Sequence, residues 1–260
     1  MSAAAHPLPM AVDPQSPTAE AFRFTAGSVE RMRAARDHRL AVVFVSADSG
    51  TDRSTVVANL ALAVAESGTP VLAVDADATG SALTDLLLPG SSGADGFEQV
   101  VAGCCPVSEC IEPSPLNADV TVLRAGTVRV RRTSGTAYAE AVEKLIAEAK
   151  ESFELVLIDS PAVLKAANAV ELVQDSDATV IVLGPGEPVR DHVTVVERLE
   201  HVEPDVTGYV FRRTGRGPKF VRRMRERTAR RIGQESVEAG ELLAFRPARN
   251  RRTSARLPQG

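Results

Sequence analysis

The chain has 260 residues, 44% of them hydrophobic, with a formal net charge of −4 and no tryptophan. That length can bury a full core as one α/β domain with tails. No apolar run approaches the roughly 20 residues a membrane span requires, and the N-terminus lacks the charged start and apolar stretch of a signal peptide, so a cytoplasmic location is expected.

Residues 1–18 are rich in Ala, Pro and Ser without periodicity and are expected to be disordered. AEAFRFTAGSVERMRAAR (19–36) places Phe22, Val29 and Met32 near one helical face. A strand follows at about 40–46, a loop, and a helix at about 54–67 that Gly68 ends. PVLAVDAD (70–77) reads as a buried strand closing in two aspartates, followed by a short helix at about 80–87 and a Gly/Ser loop. GFEQVVAG (96–103) reads as a short helix, VTVLRAG (120–126) as a strand, and residues 133–153 as a helix with Ala137, Ala141, Leu145 and Ala149 in one stripe. LVLID (155–159) and ATVIVLG (178–184) are strands flanking a helix at about 165–173. VRDHVTVVERLEHV is a helix and TGYVFRR (207–213) a sixth strand. Apolar strands alternating with helices predict a parallel sheet covered by helices on both faces.

The most informative segment is SADSGTDRST (46–55), between a strand and a helix. That is the context of a phosphate-binding loop of the form G-x-x-x-x-G-K-[ST]. Ser54 fills the closing position, Arg53 stands for the Lys, Asp52 for the second Gly and Ala47 for the first. Asp52 would set a carboxylate beside phosphate oxygens. At roughly 5 Å and an effective dielectric of about 20, each such pair repels by about 3 kcal/mol. Arg53 keeps the charge, but its planar fork does not substitute freely for an ammonium. Ligands of parallel sheets bind at the carboxyl ends of the strands. The loop at 47–54, Asp75, Asp77 and Asp159 are expected to converge there.

With these motifs the chain resembles the cytoplasmic tyrosine kinases of bacterial capsule and exopolysaccharide export, within the MinD/ParA-type P-loop NTPases. The resemblance covers about residues 19–213 and rests on VSADSGTDRSTVVANLA (45–61), VLAVDAD (71–77), LVLIDSPAV (155–163) and GYVF (208–211), with EAFR (20–23) before them. It implies ATP and Mg²⁺ as cofactors, with Ser54, Asp75 and Asp159 about the metal and Asp75, Asp77 and Arg53 as catalytic groups. It implies nucleotide contacts from Ser49, Gly50, Thr51, Asp52, Arg53, Ser54 and Thr55, with Arg212 where an adenine-facing Asn is expected. Glu20 and Arg23 match the start of a helix the family uses for ring assembly, so a homo-oligomer is a candidate state.

The departures cluster at the site: Asp52, Arg53, Ala162 for a proline, Asn168 for an aspartate, and Arg212. The family's C-terminal tyrosine cluster is absent, since the only tyrosines are Tyr138, inside a helix, and Tyr209, inside a strand. Two roles stay open for Asp75: a metal ligand, or the partner of Arg53 in an internal salt bridge.

Cys104, Cys105 and Cys110 read as free thiols in a surface loop, with no fourth ligand nearby for a metal. Residues 212–260 carry 15 Lys and Arg against 4 Asp and Glu, while the first 211 residues carry 15 against 30. GPKFVRRMRERTARRIG (217–233) has the pattern of a basic amphipathic helix, with Phe220 and Met224 four apart and Val221 and Ile232 nearby. Its candidate roles are a solvated last helix, attachment to anionic lipid through residues 217–256, docking to an acidic protein, and, less favoured, nucleic-acid binding. The expected organisation is a disordered segment 1–18, a P-loop NTPase-like domain 19–213, a basic helix 214–233 and a basic tail 234–260. The expected function is a degenerate kinase-like subunit regulating or assembling polysaccharide synthesis or export, beside a membrane chain-length or export protein. The alternatives are an active kinase or ATPase of the same family, and a MinD/ParA-like positioning ATPase that binds DNA or membrane through the tail.

Overall fold

A computed structural model describes residues 8–36, 39–49, 52–93, 95–127, 135–184, 186–202 and 205–211. Gly50, Thr51, Arg212 and the basic segments at 214–233 and 234–260 lie outside the described residues.

Seven strands form one sheet: β1 (Leu40–Val45), β2 (Val71–Asp75), β3 (Ile111–Pro113), β4 (Val120–Leu123), β5 (Leu155–Asp159), β6 (Ala178–Leu183) and β7 (Val206–Phe211). Their order is β3-β4-β2-β5-β1-β6-β7. Every pairing is parallel except β3 with β4. The helices are α1 (Pro9–Val12), α2 (Pro17–Ala34), α3 (Arg53–Ala65), α4 (Ala82–Leu87), α5 (Phe97–Val101), α6 (Val107–Cys110), α7 (Thr136–Ser152), α8 (Ala169–Asp175) and α9 (Val189–Glu200).

The apolar runs of β1, β2, β5 and β6 are buried throughout, because both faces of the sheet are covered. Alternate side chains of β1 feed two cores. Leu40, Val42 and Phe44 pack with α2 and α3. Ala41, Val43 and Val45 pack with α7, α8 and α9. Helix α3 is enclosed nearly all round, with eleven of its 13 residues buried. Beneath it lies the sheet, and over it lie α1 and α2.

The expectation that residues 1–18 are disordered fails over 8–18. Leu8 and Met10 are buried in the first core, and the Met10 amide donates to Asn59 Oδ1 at 3.1 Å. Pro17 opens α2 behind an Ser16 cap that accepts from the Ala19 amide. Composition hid this, since α1 gains its order from Asn59 and α3 rather than from its own propensity. The cysteines also depart from expectation: Cys105 and Cys110 are joined as a disulfide across α6, and only Cys104 is free and exposed. Helix α6 turns Cys110 into the second core beside Phe97 and Val101, which takes it off the surface.

Candidate functional site

Adjacent strands β2, β5 and β1 end side by side, and their carboxyl ends carry the site. Asp75 closes β2 and Asp159 closes β5, paired in register. Ser46 follows β1, and the loop leads into α3. The predicted convergence of Asp75, Asp77, Asp159 and the described part of the loop is therefore observed.

Arg53, the first residue of α3, does not point outward. It is 4% exposed. Its Nε donates to Asp159 Oδ1, its Nη1 to Ser46 Oγ at 2.7 Å, and its Nη2 to Asp77 Oδ2 at 3.4 Å. The other oxygen of Asp159 accepts from Ser54 Oγ. Both oxygens of the third acid are thus engaged by residues of the loop itself. Asp75 is held elsewhere: its Oδ2 accepts from the Thr84 amide at 2.8 Å and Thr84 Oγ1 at 2.7 Å, and its Oδ1 accepts from the Asp77 amide at 3.2 Å. The internal salt bridge considered for Asp75 is made by Asp159 and Asp77 instead. The reason is topological: β5 lies between β2 and β1, so Asp159 is the acid nearer the loop.

Asp52 sits at φ 54° and ψ 29°, the left-handed region that favours glycine. The backbone keeps the shape of a glycine-containing phosphate loop, while the residue there carries a carboxylate. Outside the Arg53 cluster, Lys165 forms an ion pair with Asp48 and donates to Ser49 Oγ at 3.1 Å. That ammonium, together with the Ser49 amide, holds the Asp48 carboxyl below its ordinary range. Thr55 serves the helix, its carbonyl accepting from Asn59 Nδ2 at 2.8 Å.

Burial, and next the charge of Asp159, push Asp75 up to about 7. Burial also pushes Asp159 up, against the pull of Arg53 and Ser54. One guanidinium is therefore bonded to two of three neighbouring carboxylates, Asp159 and Asp77. Among the described residues no three His, Cys, Asp or Glu side chains are arranged to hold a metal ion. In this arrangement the carboxylate oxygens of the predicted metal set accept from side chains: Asp159 from Arg53 and Ser54, and Asp75 from Thr84.

Sequence reading did not single out Ser46, Thr84 and Lys165. Ser46 was readable as the residue after β1. Thr84 and Lys165 carried no signal, because their partners Asp75 and Asp48 are fixed only by the crossovers.

A profile of the AAA-domain family matches residues 41–190. The chain is 28% identical over 151 residues to tyrosine-protein kinase Wzc of Salmonella typhimurium, covering 58% of this chain and 20% of Wzc. It is 26% identical over 204 residues to the succinoglycan biosynthesis transport protein ExoP of Rhizobium meliloti, covering 76% and 25%. It also spans 64% of an uncharacterized ATP-binding protein of Methanocaldococcus jannaschii, which covers 67% of this chain at 24% identity. The chain therefore corresponds to part of each of these relatives. The kinase domain of the Escherichia coli tyrosine kinase ETK has the same fold, with a TM-score of 0.69, 19% identity and 81% coverage of each chain. The septum site-determining protein MinD of Pyrococcus horikoshii, solved with Mg-ADP, aligns with a TM-score of 0.56 at 26% identity, covering 70% of this chain and 73% of MinD.

Proposed function

This chain belongs to the AAA-domain family, among the MinD/ParA-type P-loop proteins that include the polysaccharide-export tyrosine kinases, and from that premise we propose that it is a member whose nucleotide pocket is closed by its own side chains. It serves as a regulatory or assembly subunit for polysaccharide synthesis or export, in the cytoplasm beside a membrane export protein, rather than as a phosphotransferase. The observation that carries this reading is the buried Arg53, bonded to Asp159, Asp77 and Ser46.

Phosphoryl transfer needs a free cation on the β- and γ-phosphates and carboxylates open to Mg²⁺. Here the cation and the carboxylates neutralise each other. Asp52 adds a charge of the wrong sign: about 3 kcal/mol against one phosphate charge is roughly 200-fold in affinity. The tyrosines support the same conclusion. Tyr138 is buried, with its hydroxyl accepting from Asn168 Nδ2 at 3.2 Å, and Tyr209 lies within β7. Neither is a flexible acceptor.

Calorimetric titration with Mg-ATP tests the reading. The wild type is expected to show no binding up to about 1 mM, a ceiling set by losing two or more such charge pairs. The pair of substitutions Asp52→Gly and Arg53→Lys is expected to create measurable affinity, because it frees Asp159 and restores the ammonium. Micromolar binding with turnover by the wild type overturns the proposal and leaves an active kinase or ATPase.

A further inference from the structure

Helix α2 has two faces. Ala19, Phe22, Ala26 and Val29 bury one of them in the first core. On the opposite side Pro17, Glu20, Phe24, Gly27, Arg31 and Ala34 recur at alternating steps of three and four, the spacing of a heptad seam. All are exposed except Gly27, which is half-buried. Phe24 is 68% exposed, more than any other large apolar side chain among the described residues. Gly27 stands inside the helix, where glycine is less stable than alanine. Its own chain does not require it: a Cβ there would meet nothing nearer than Arg31 Nη1 at 3.6 Å, an ordinary contact. Glu20 is 77% exposed along its side chain and meets Arg23 at 3.4 Å. Arg23 itself is engaged within the chain, its Nε and Nη2 donating to the Glu66 carboxylate at 2.6 and 2.9 Å. Arg31 donates to Ser28 Oγ at 2.9 Å and, among the described residues, pairs with no carboxylate.

We propose that α2 pairs with α2 of a second copy of this chain, antiparallel, about a two-fold axis midway between Phe24 and Gly27. The seam is its own complement at that one offset, over its whole length. Reversed on itself, it sets Phe24 against Gly27, Glu20 against Arg31 and Pro17 against Ala34. No seam position faces a like charge. The Phe24 ring enters the gap that Gly27 leaves, which accounts for a glycine the single chain does not need. The Arg31 guanidinium, already beside Gly27, comes within reach of the second copy's Glu20. Six positions a side fall well short of the roughly 20–30 residues of a standard interface, so the dimer is weak and concentration-dependent. The same patch serves both copies, so assembly closes at two chains and builds no ring. None of this depends on whether the nucleotide pocket is closed.

Sedimentation equilibrium of the full chain tests it over about a hundredfold range of concentration. Cys104→Ser, which removes the exposed free thiol, is the background for every measurement. The mass is expected to rise from one chain to two and stop there. Phe24→Ala is expected to weaken the dimer by at least about tenfold, as loss of a central aromatic anchor does. Glu20→Arg and Arg31→Glu are each expected to weaken it several-fold, and the two together to restore it. Gly27→Ala is expected to raise the melting temperature of the dilute chain and yet weaken the dimer, a split that a purely internal role would not give. Val193→Glu, at a 49% exposed site on α9 across the sheet, is expected to leave association unchanged. Melting curves of the dilute variants check that each folds. A chain that stays monomeric at every concentration overturns the proposal. So does a dimer indifferent to Phe24→Ala, a charge exchange that fails to restore association, or growth beyond two chains.

Discussion

Arg53 sets the energetics of the site one side chain at a time. Removing one partner of a buried ion pair leaves an uncompensated charge and destabilises by about 3–5 kcal/mol. Arg53→Met is therefore expected to lower unfolding stability by about that amount, since it strands the fully buried Asp159 and weakens the hold on Asp77. Urea denaturation measures it, and a change near zero would show that the guanidinium contributes no neutralisation. Asp52→Gly is expected to be close to neutral in the same assay. It relieves a left-handed aspartate but adds backbone freedom to the unfolded chain, two effects of about 1 kcal/mol and opposite sign. Asp75 sets the pH dependence. Its folded pKa, about 7, lies above the ordinary carboxylate value of 3.8, so the native state holds the extra proton between those values. Stability then falls as pH rises from about 4 to about 7 and is level above that, for this group. Melting temperatures at pH 5, 6, 7 and 8 check the sign. Asp75→Asn is expected to flatten the slope between pH 5 and 7.

At the scale of elements, the connection between α5 and β4 is fixed by close backbone approach. A Cβ at Gly96 would meet the Arg124 carbonyl oxygen at 2.4 Å and the Gly126 nitrogen at 2.5 Å. Both are backbone atoms, and the Gly96 amide also donates to Gln99 Oε1 at 3.1 Å. Gly96→Ala is expected to destabilise by about 3 kcal/mol, the upper end for overpacking, visible as a lower urea midpoint. A midpoint within error of the wild type would mean that α5 can shift freely. Element identity was legible wherever period and burial agreed. β1, β2, β5 and β6 read as continuous apolar runs, and α7 as a stripe holding Leu145 and Ala149. The elements missed were the ones too short to have a period: α1, α6 and β3, of four, four and three residues. β3 pairs antiparallel at the far edge, a position that one-dimensional patterning cannot assign. The candidate site was legible as a set, because Ser54 at the start of α3, Asp75 and Asp77 at the end of β2 and just past it, and Asp159 at the end of β5 follow one motif order. Which acid Arg53 would hold was not legible. Asp159 is 106 positions away in sequence, and only the insertion of β5 between β1 and β2 brings it to the loop.

For the molecule as a whole, the two faces of the sheet are closed differently. The second core is covered by helices that connect successive strands, so its cover is built in. The first core needs help from outside that pattern. α3 alone connects β1 to β2 there, and its outer side is apolar too, with Val57, Leu60, Ala61 and Val64 all buried. α1 and α2 supply the missing layer through Leu8, Met10, Phe22 and Val29, and Arg33 and Arg36 pin it at Glu154 and Asp205. At about 1.5–3 kcal/mol for each large apolar side chain, those four contribute roughly 6–12 kcal/mol. That is an upper estimate, yet it is comparable to the roughly 5–15 kcal/mol stability of a whole domain. The N-terminal layer is therefore part of the folding unit. A chain that begins at Arg39 is expected to lose its cooperative melting transition and to bind a hydrophobic dye through the stripped side of α3. A sharp transition within a few degrees of the full chain would show instead that the sheet and α3 stand alone, and that the first 38 residues are an accessory added to a finished fold.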